Sequence, residues 1–130
     1  MIKGSCSLVV SSTDPVDFEL ISSILNVDPT RVVNKEQMVG GKSAPKNIWR
    51  YDVKFKEKTP DEALMELLDL CVNRKETLLS LKQQYELSIK LFIRSDFGQL
   101  GYTLPASVIK SLAQLEVDLE THILSFGGVE

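Results

Sequence analysis

Cationic and aromatic side chains cluster around a long loop in the first half of the sequence. Arg31 precedes the loop, Lys42 and Lys46 lie within it, and Trp49 and Arg50 follow it at the start of an apolar stretch. Arginine and lysine can hold an anion, and loops mounted on a rigid sheet often carry recognition residues. The residues therefore indicate a small-anion or partner-binding patch. The simpler interpretation, a core tryptophan beside lysines that keep a loop soluble, is favoured.

Three further aromatic residues could extend such a patch. Phe92 falls on the polar face of a predicted strand, Phe97 follows in a turn sequence, and Tyr102 precedes the next helix. An aromatic side chain on the polar face of a strand packs under another element or lies at an interface. The candidate binding residues of the chain are therefore Arg31, Lys42, Trp49, Arg50, Phe92, Phe97 and Tyr102.

The residue types that perform nucleophilic or metal chemistry are sparse. His122 is the only histidine, and the two cysteines, Cys6 and Cys71, lack the paired spacing of metal ligands. No serine has the sequence surroundings of a nucleophile beside a base. We therefore predict no catalytic, metal-binding or cofactor-binding residue. We expect His122 to be an exposed strand residue beside Asp118 and Glu120.

Two further patterns suggest chemistry but fail on their context. Gly40-Gly41-Lys42-Ser43 partly resembles a phosphate-binding loop, but it lacks the first glycine of that motif. The Ala44-Pro45 that follows does not open a helix whose N-terminus could hold a phosphate, so a nucleoside triphosphatase is excluded. Glu62, Glu66 and Asp69 are spaced along the solvent face of a helix, which is the ordinary position of acidic residues.

The chain of 130 residues has the size and composition of a single globular domain, 1–130. Its 15 lysine and arginine residues against 18 aspartate and glutamate residues give a formal net charge of −3. Binding to nucleic acid or to an anionic membrane surface requires a basic excess, so we predict neither partner. No apolar run reaches the roughly 18 residues of a membrane span, and buried, unpaired cysteines indicate a cytoplasmic protein.

Apolar periodicity predicts the elements that position these residues. Strands are predicted at 5–11, 31–35, 47–55, 87–94 and 117–124, with a short edge at 101–104. Helices are predicted at 14–27, 60–85 and from 105 onward. The pattern of 60–85 is interrupted near Asn73, so we predict two helices or one kinked helix there. The loop 36–47 contains Gly40-Gly41, which favours a flexible loop.

Helix starts give the clearest local signals. Asp14 before Pro15 and Thr59 before Pro60 are predicted to cap the first two helices. In the last helix, the residues predicted to face inward are Val108, Ile109, Leu112 and Leu115.

The order of these elements contains the split β-α-β pattern of ferredoxin-like folds, followed by an added C-terminal helix and strand. We predict an α+β domain with a mainly antiparallel sheet and its helices on one face. The other face of the sheet would be exposed or would cover a partner.

Several segments together carry a resemblance that covers nearly the whole chain. They are Leu25–Arg31, a glycine-bearing loop followed by Trp49, the leucine-rich helices of Glu62–Tyr85, the segment Gly101–Pro105 and the strand Val117–Ile123. They resemble a bacterial family known only as domain of unknown function 4279. The resemblance implies a small bacterial cytosolic protein and brings no activity, cofactor or catalytic residue. The chain departs from the family pattern at Thr121-His122, where an acidic residue and a small apolar or aromatic pair are expected.

We therefore expect a non-enzymatic domain that binds another protein through its open sheet face or its hairpin loop. An immunity or antitoxin role would suit a small acidic domain, because such a domain could cover a basic toxin surface. The alternative is a small-molecule-binding regulatory module, which could form a homodimer, with a pocket lined by Arg31, Trp49 and Tyr102. An enzyme is the least favoured class.

Overall fold

A β-sheet with helices packed on one face forms the framework of the chain. The computed structural model describes residues 2–56, 58–97 and 101–128, with the side chains of 97 and 126–128 excepted. Within these residues the strands are β1 (Ile2–Ser12), β2 (Arg31–Val33), β3 (Met38–Val39), β4 (Lys42–Ser43), β5 (Asn47–Phe55), β6 (Glu86–Phe97) and β7 (Asp118–Gly128). The helices are α1 (Phe18–Leu25), α2 (Pro60–Val72), α3 (Lys75–Leu81) and α4 (Ala106–Leu115). None of these helices has the length and apolar character needed to cross a membrane.

Five of the described strands form one sheet in the order β2-β5-β1-β6-β7, and β3 and β4 form a separate hairpin. β1 is antiparallel to both of its neighbours and β2 is antiparallel to β5, whereas β6 and β7 are parallel. The predicted α+β class and mainly antiparallel sheet are therefore confirmed. Strand β1 suits the middle position because its residues from Cys6 to Val10 are small or apolar and are all buried.

The hydrophobic core lies between the sheet and the helices. The alternation predicted for β6 is confirmed, and its buried apolar residues are Leu87, Ile89, Leu91 and Ile93. Trp49 on β5 is fully buried, and its Nε1 donates a hydrogen bond of 3.0 Å to Ser22 Oγ on α1. All four described helices bury residues in this one cluster. The opposite face of the sheet, the helix-free face, therefore carries no helix of the described chain.

The helical pattern after Pro60 is interrupted at Asn73 and Arg74, where α2 ends and α3 begins. The prediction of a break near Asn73 is confirmed. Arg74 uses the break to reach two carbonyl groups: its Nε donates to Leu25 O at 2.6 Å, and its Nη1 donates to Leu70 O at 3.1 Å. One guanidinium group thus joins the C-terminal ends of α1 and α2, where carbonyl groups lack partners within the helix.

Side-chain caps set the helix starts. Thr59 caps α2 as predicted, because its Oγ1 accepts a hydrogen bond of 3.4 Å from the amide of Glu62. The predicted start of α1 at Asp14 is wrong. Asp17 is the cap instead, since its Oδ1 accepts a hydrogen bond of 3.0 Å from the Leu20 amide.

The segment 36–47, predicted to be a flexible loop, is a hydrogen-bonded hairpin. Gly40 and Gly41 form its turn with φ of +58° and +81°, a conformation that glycine adopts without strain. Hydrogen bonds of 2.8 Å run from Glu36 N to Ala44 O and from Ala44 N to Gln37 O. The prediction is wrong because the glycine pair supplies both left-handed residues of a tight turn.

Two predictions for the chain after β6 are also wrong. Residues 101–104 form no strand, because Tyr102 and Leu104 pack against the edge of the core instead of extending the sheet. Ile109 is 54% exposed, whereas Val108 and Leu115 are buried as predicted. Helix α4 packs on α2 along a narrow stripe, and Ile109 falls outside it.

The substitution Gly4→Ala tests the close approach of β1 to β6. A Cβ at Gly4 would lie 1.8 Å from the carbonyl oxygen of Phe92, and this backbone contact cannot be relieved without moving a strand. We expect the free energy of unfolding, measured by urea titration, to fall by about 3 kcal/mol. Gly101→Ala is the control, because no described atom lies within 4 Å of a Cβ there. Equal losses in the two variants would contradict the close approach.

Candidate functional site

The helix-free face brings together side chains from neighbouring strands. The cross-strand rows on this face are Arg50–Val9–Ser88–Asp118, Asp52–Ser7–Lys90–Glu120 and Lys54–Ser5–Phe92–His122. Strand β2 adds Arg31 opposite Arg50 at the end of the first row. The register thus places Arg50 and Phe92 on the same face but toward opposite ends of it.

A pocket of about 310 Å³ lies where the β3–β4 hairpin approaches β2 and β5. Its charged lining residues are Arg31, Lys42 and Arg50. Its other lining residues are Val33, Val39, Ser43, Ala44, Pro45 and Ile48. Val33 and Ala44 are buried, so apolar side chains form the inner wall. This hairpin pocket therefore combines three cations with apolar surface.

The three cations of the hairpin pocket are not equally neutralised. Arg50 Nε lies 2.9 Å from Asp52 Oδ1, an ion-pair distance, but it is buried without the alignment of a hydrogen bond. Ser7 Oγ donates a hydrogen bond of 2.6 Å to the same carboxylate oxygen. Arg31 and Lys42 form no ion pair with any residue that the structure describes. The pocket thus retains uncompensated positive charge.

At the other end of the helix-free face, Phe92 and His122 stack across β6 and β7. Their ring centroids are 5.0 Å apart and their planes make an angle of 14°. Phe92 is 36% exposed, and Leu124 on β7 is 56% exposed. The cations that line an adjacent groove of about 410 Å³ are Lys3, Lys54, Lys56 and Arg94. Phe92, His122, Leu124 and these four cations form the Phe92 surface.

His122 lies exposed on its strand beside acidic residues, as predicted. Its Nε2 and the Nζ of Lys90 each lie 3.4 Å from Glu120 Oε2. The hydrogen bond from His122, followed by the attraction of Lys90, lowers the pKa of Glu120 below its ordinary value. His122 is therefore engaged by both a ring and a carboxylate. Among the described residues, no group of three histidine, cysteine, aspartate or glutamate side chains is placed to hold a metal.

The seven predicted binding residues do not form one patch. Those that come together in the hairpin pocket are Arg31, Lys42 and Arg50. Phe92 lies at the other end of the same face, and the side chain of Phe97 lies outside the described residues. Tyr102 Oη lies 3.2 Å from Thr121 Oγ1 beside the core. A pocket shared by Arg31, Trp49 and Tyr102 does not form, because Trp49 is buried on the helix-covered face.

Sequence reasoning missed the apolar wall of the hairpin pocket and most cations of the Phe92 surface. Alternation along β5 places Ile48 and Lys54 on the same face as Arg50, so part of this signal was available. Lys3 and Arg94 join that face at one end only through the pairing of β1 with β6. The order of the strands was therefore needed to find the other cations of the Phe92 surface.

Cys6 and Cys71 are buried free thiols, as predicted. Burial raises the pKa of each thiol from 9.0 to about 12, and for Cys6 the nearby carboxylate of Glu66 adds to this effect. Both thiols are therefore protonated at neutral pH and are poor nucleophiles.

A wider groove of about 670 Å³ runs along α1 and the segment that leads into β2. Its charged lining residues are Glu19 and Asp28, and cations are absent from its described lining. The groove offers neither the converging charges nor the buried apolar wall of the hairpin pocket. It therefore has the weaker claim to a binding function.

Comparison with known proteins connects the chain to one family of unknown role. The sequence model of the family described as Domain of unknown function (DUF4279) matches residues 2–125, nearly the whole chain. Neither a curated protein nor a solved structure matches the chain. The match brings no catalytic or binding residue with it.

The raised pKa values of the two thiols predict a loss of stability in alkaline solution. In the unfolded chain each thiol ionises near pH 9.0, whereas in the folded chain it stays protonated up to about pH 12. Between these values the folded state binds more protons, so the free energy of unfolding falls as the pH rises. Above pH 9 the free energy of unfolding falls by at most about 1.4 kcal/mol per pH unit for each thiol. Below pH 9 the thiols add no pH dependence to it. Urea titrations at a series of pH values from 8 upward measure this fall in the free energy of unfolding.

The double variant Cys6→Ala/Cys71→Ala is the matched comparison. Its stability at neutral pH is expected to be lower, because two buried side chains are truncated. Its free energy of unfolding should nevertheless fall less steeply above pH 9 than that of the parent. Parallel slopes in the parent and the variant would show that the folded thiols ionise normally.

Proposed function

The chain belongs to the DUF4279 family, and we propose that it is a non-enzymatic domain that binds an acidic protein partner through the Phe92 surface. The observation that carries the proposal is the exposed, stacked pair of Phe92 and His122 on the helix-free face. An exposed aromatic pair bordered by cations is the kind of surface that protein partners cover.

Phe92 can supply the central contact of such an interface. Because the ring is already stacked on His122, docking immobilises little additional side-chain freedom. Leu124 beside it extends the apolar area that a partner would bury. Aromatic residues at the centre of an interface often account for a large part of the binding energy, while charged residues form the rim.

The charges around Phe92 favour an acidic partner. Four cations line the adjacent groove, although the whole chain carries a net charge of −3. An acidic segment would meet complementary charge at this rim, which raises the association rate and disfavours basic partners. The immunity or antitoxin role predicted from overall acidity calls for a basic partner. It would need another surface and stays a prediction.

Nucleic acid is the competing polyanion at this surface. The helix-free face also carries Asp118 and Glu120 on β7 and Glu86 on β6. A phosphate backbone running along the sheet would meet these carboxylates and be repelled. A short acidic protein segment would contact only the Phe92 surface, at the basic end of this face, and would avoid these carboxylates. It is therefore the better match.

Two observations support a non-enzymatic role. The thiols of Cys6 and Cys71 are buried and have pKa values of about 12, so neither is poised as a nucleophile. His122 stacks on Phe92 and approaches Glu120, and the groove of about 260 Å³ that it lines has no serine, cysteine or carboxylate in its described lining for a base to activate. The cytoplasmic location and bacterial source stay predictions.

We further infer that the sheet has a ferredoxin-like arrangement with an added C-terminal unit. The neighbours β2-β5-β1-β6, all antiparallel, support the split β-α-β pattern. Helix α4 and the parallel strand β7 would then be the addition. In this arrangement the added strand contributes His122 and Leu124 to the Phe92 surface.

Affinity capture with the variant Phe92→Ala tests the proposed function. Tagged protein is incubated with cytosol of the source cell, and the captured partner is purified and titrated by calorimetry. We expect an acidic partner whose affinity falls at least about tenfold in the variant, because the ring forms the buried centre of the contact. We also expect the affinity for the parent to fall with added salt, because cations form the rim.

Ile109→Ala is the matched control, since Ile109 is also an exposed apolar residue but lies on α4, on the other side of the sheet. Its affinity for the partner should equal that of the parent. Equal binding by Phe92→Ala would overturn the assigned surface. Stronger binding of a single-stranded oligonucleotide, or a Phe92-dependent homodimer in light scattering, would overturn the acidic protein as the occupant.

A further inference from the structure

We propose that the hairpin pocket binds a small organic anion with an apolar body, of the class of medium-chain carboxylates and alkyl phosphates. Its volume of about 310 Å³ falls at the lower end of the range of roughly 300 to 1,000 Å³ found for small-molecule sites. The pocket lies at the opposite end of the helix-free face from Phe92, so this inference does not rest on the proposed function.

Electrostatic repulsion within the pocket gives the first argument. Arg31 on β2 is the direct cross-strand partner of Arg50 on β5, and both line the pocket. Like charges directly opposite each other destabilise a pair of strands. Asp52 approaches only one of the two guanidinium groups, and Arg31 has no ion-pair partner among the described residues. An anion between the two arginines would offset the repulsion.

The donors in the pocket give the second argument. Arg31 and Arg50 both line the pocket, whereas the Nε atom of Arg50 is buried beside Asp52 and is not one of the donors that a ligand would meet. A guanidinium group presents donors in a planar fork that matches the oxygens of a carboxylate or a phosphate. Lys42 on the hairpin adds a third positive charge on a flexible stem. No acidic residue is present in the described lining, so the polar side of the pocket is suited to an anion.

The apolar wall of the pocket requires that the ligand also have an apolar body. Val33 and Ala44 are buried behind the pocket, and Ile48 and Pro45 continue the wall. An inorganic anion would satisfy the cations but leave this wall in contact with water. A neutral apolar molecule would cover the wall but leave the cations without a counter-charge. Only an amphipathic anion satisfies both halves.

Ligand binding would also stabilise the hairpin. The hairpin is closed by the two backbone hydrogen bonds of Ala44, one to Glu36 and one to Gln37. A ligand in contact with Ala44 and with Arg50 would tie the hairpin to β5. Amide hydrogen exchange at Ala44 should therefore slow when the pocket is occupied, because exchange requires these bonds to open.

Titration of octanoate and of octyl phosphate into the full chain tests the proposal. Binding is measured by calorimetry at fixed ionic strength, together with the melting temperature and the exchange rate of the Ala44 amide. We expect saturable binding of at least one anion, a higher melting temperature and slower exchange. Octanol and inorganic phosphate should each bind at least about tenfold more weakly, since each satisfies only half of the pocket. The tighter of the two anions identifies the preferred head group.

Arg31→Gln gives two effects of opposite sign. The affinity for the tighter anion should fall at least about tenfold, because a charged donor is lost. The melting temperature of the ligand-free variant should equal or exceed that of the parent, because the repulsion with Arg50 is removed. Weak binding in this variant would therefore not reflect unfolding.

Lys110→Gln is the control for loss of one positive charge, since Lys110 is exposed on α4 outside the pocket. It should change neither the affinity nor the melting temperature. Unchanged affinity in Arg31→Gln, octanol bound as tightly as octanoate, or no saturable binding of either anion would overturn the proposal. Because no protein partner is present in these titrations, their outcome is separate from that of the Phe92 capture experiment.

Discussion

The two-sided pairing of strand β1 sets the arrangement of the whole sheet. It is antiparallel to β5 on one side and to β6 on the other, and its residues from Cys6 to Val10 are buried. At Gly4 its backbone lies too close to β6 to leave room for a side chain. A shift by one residue would therefore move apolar side chains to solvent and create a backbone clash. The register of β1 in this way decides which residues of β5 and β6 reach the helix-free face.

Helices on only one side of the sheet divide the chemistry of the chain into two parts. The covered side holds Trp49 and the two thiols in the core. The helix-free face keeps the charged residues and Phe92. Its two candidate sites lie at opposite ends, with the contact between Ser7 and Asp52 in the row between them. An anion pocket and a protein-docking surface can therefore exist on one face of the sheet without sharing residues.

Local patterns were reliable where a single physical rule decided the outcome. The predicted alternation of β6 and the predicted interruption near Asn73 were confirmed, because a half-buried strand and an amphipathic helix each impose one period on the apolar residues. Errors arose where two local interpretations competed. Asp14 before Pro15 suits a cap by residue type, but α1 begins three residues beyond that proline, with Asp17 as its cap. The glycine pair 40–41 suits either a flexible loop or a tight turn, and the pairing of its flanks decides for the turn.

Local sequence patterns were sufficient to assign the α+β class, most of the buried stripes and the identity of three cations that come together, Arg31, Lys42 and Arg50. These follow from periodicity and side-chain chemistry, which are local properties. Three contacts follow from the folded arrangement alone: Arg31 opposes Arg50, the hairpin completes a pocket around them, and Phe92 stacks on His122. Each of these contacts joins segments that are distant in the chain. Their meeting depends on strand order and register, which result from packing of the whole core and are not encoded in any short pattern.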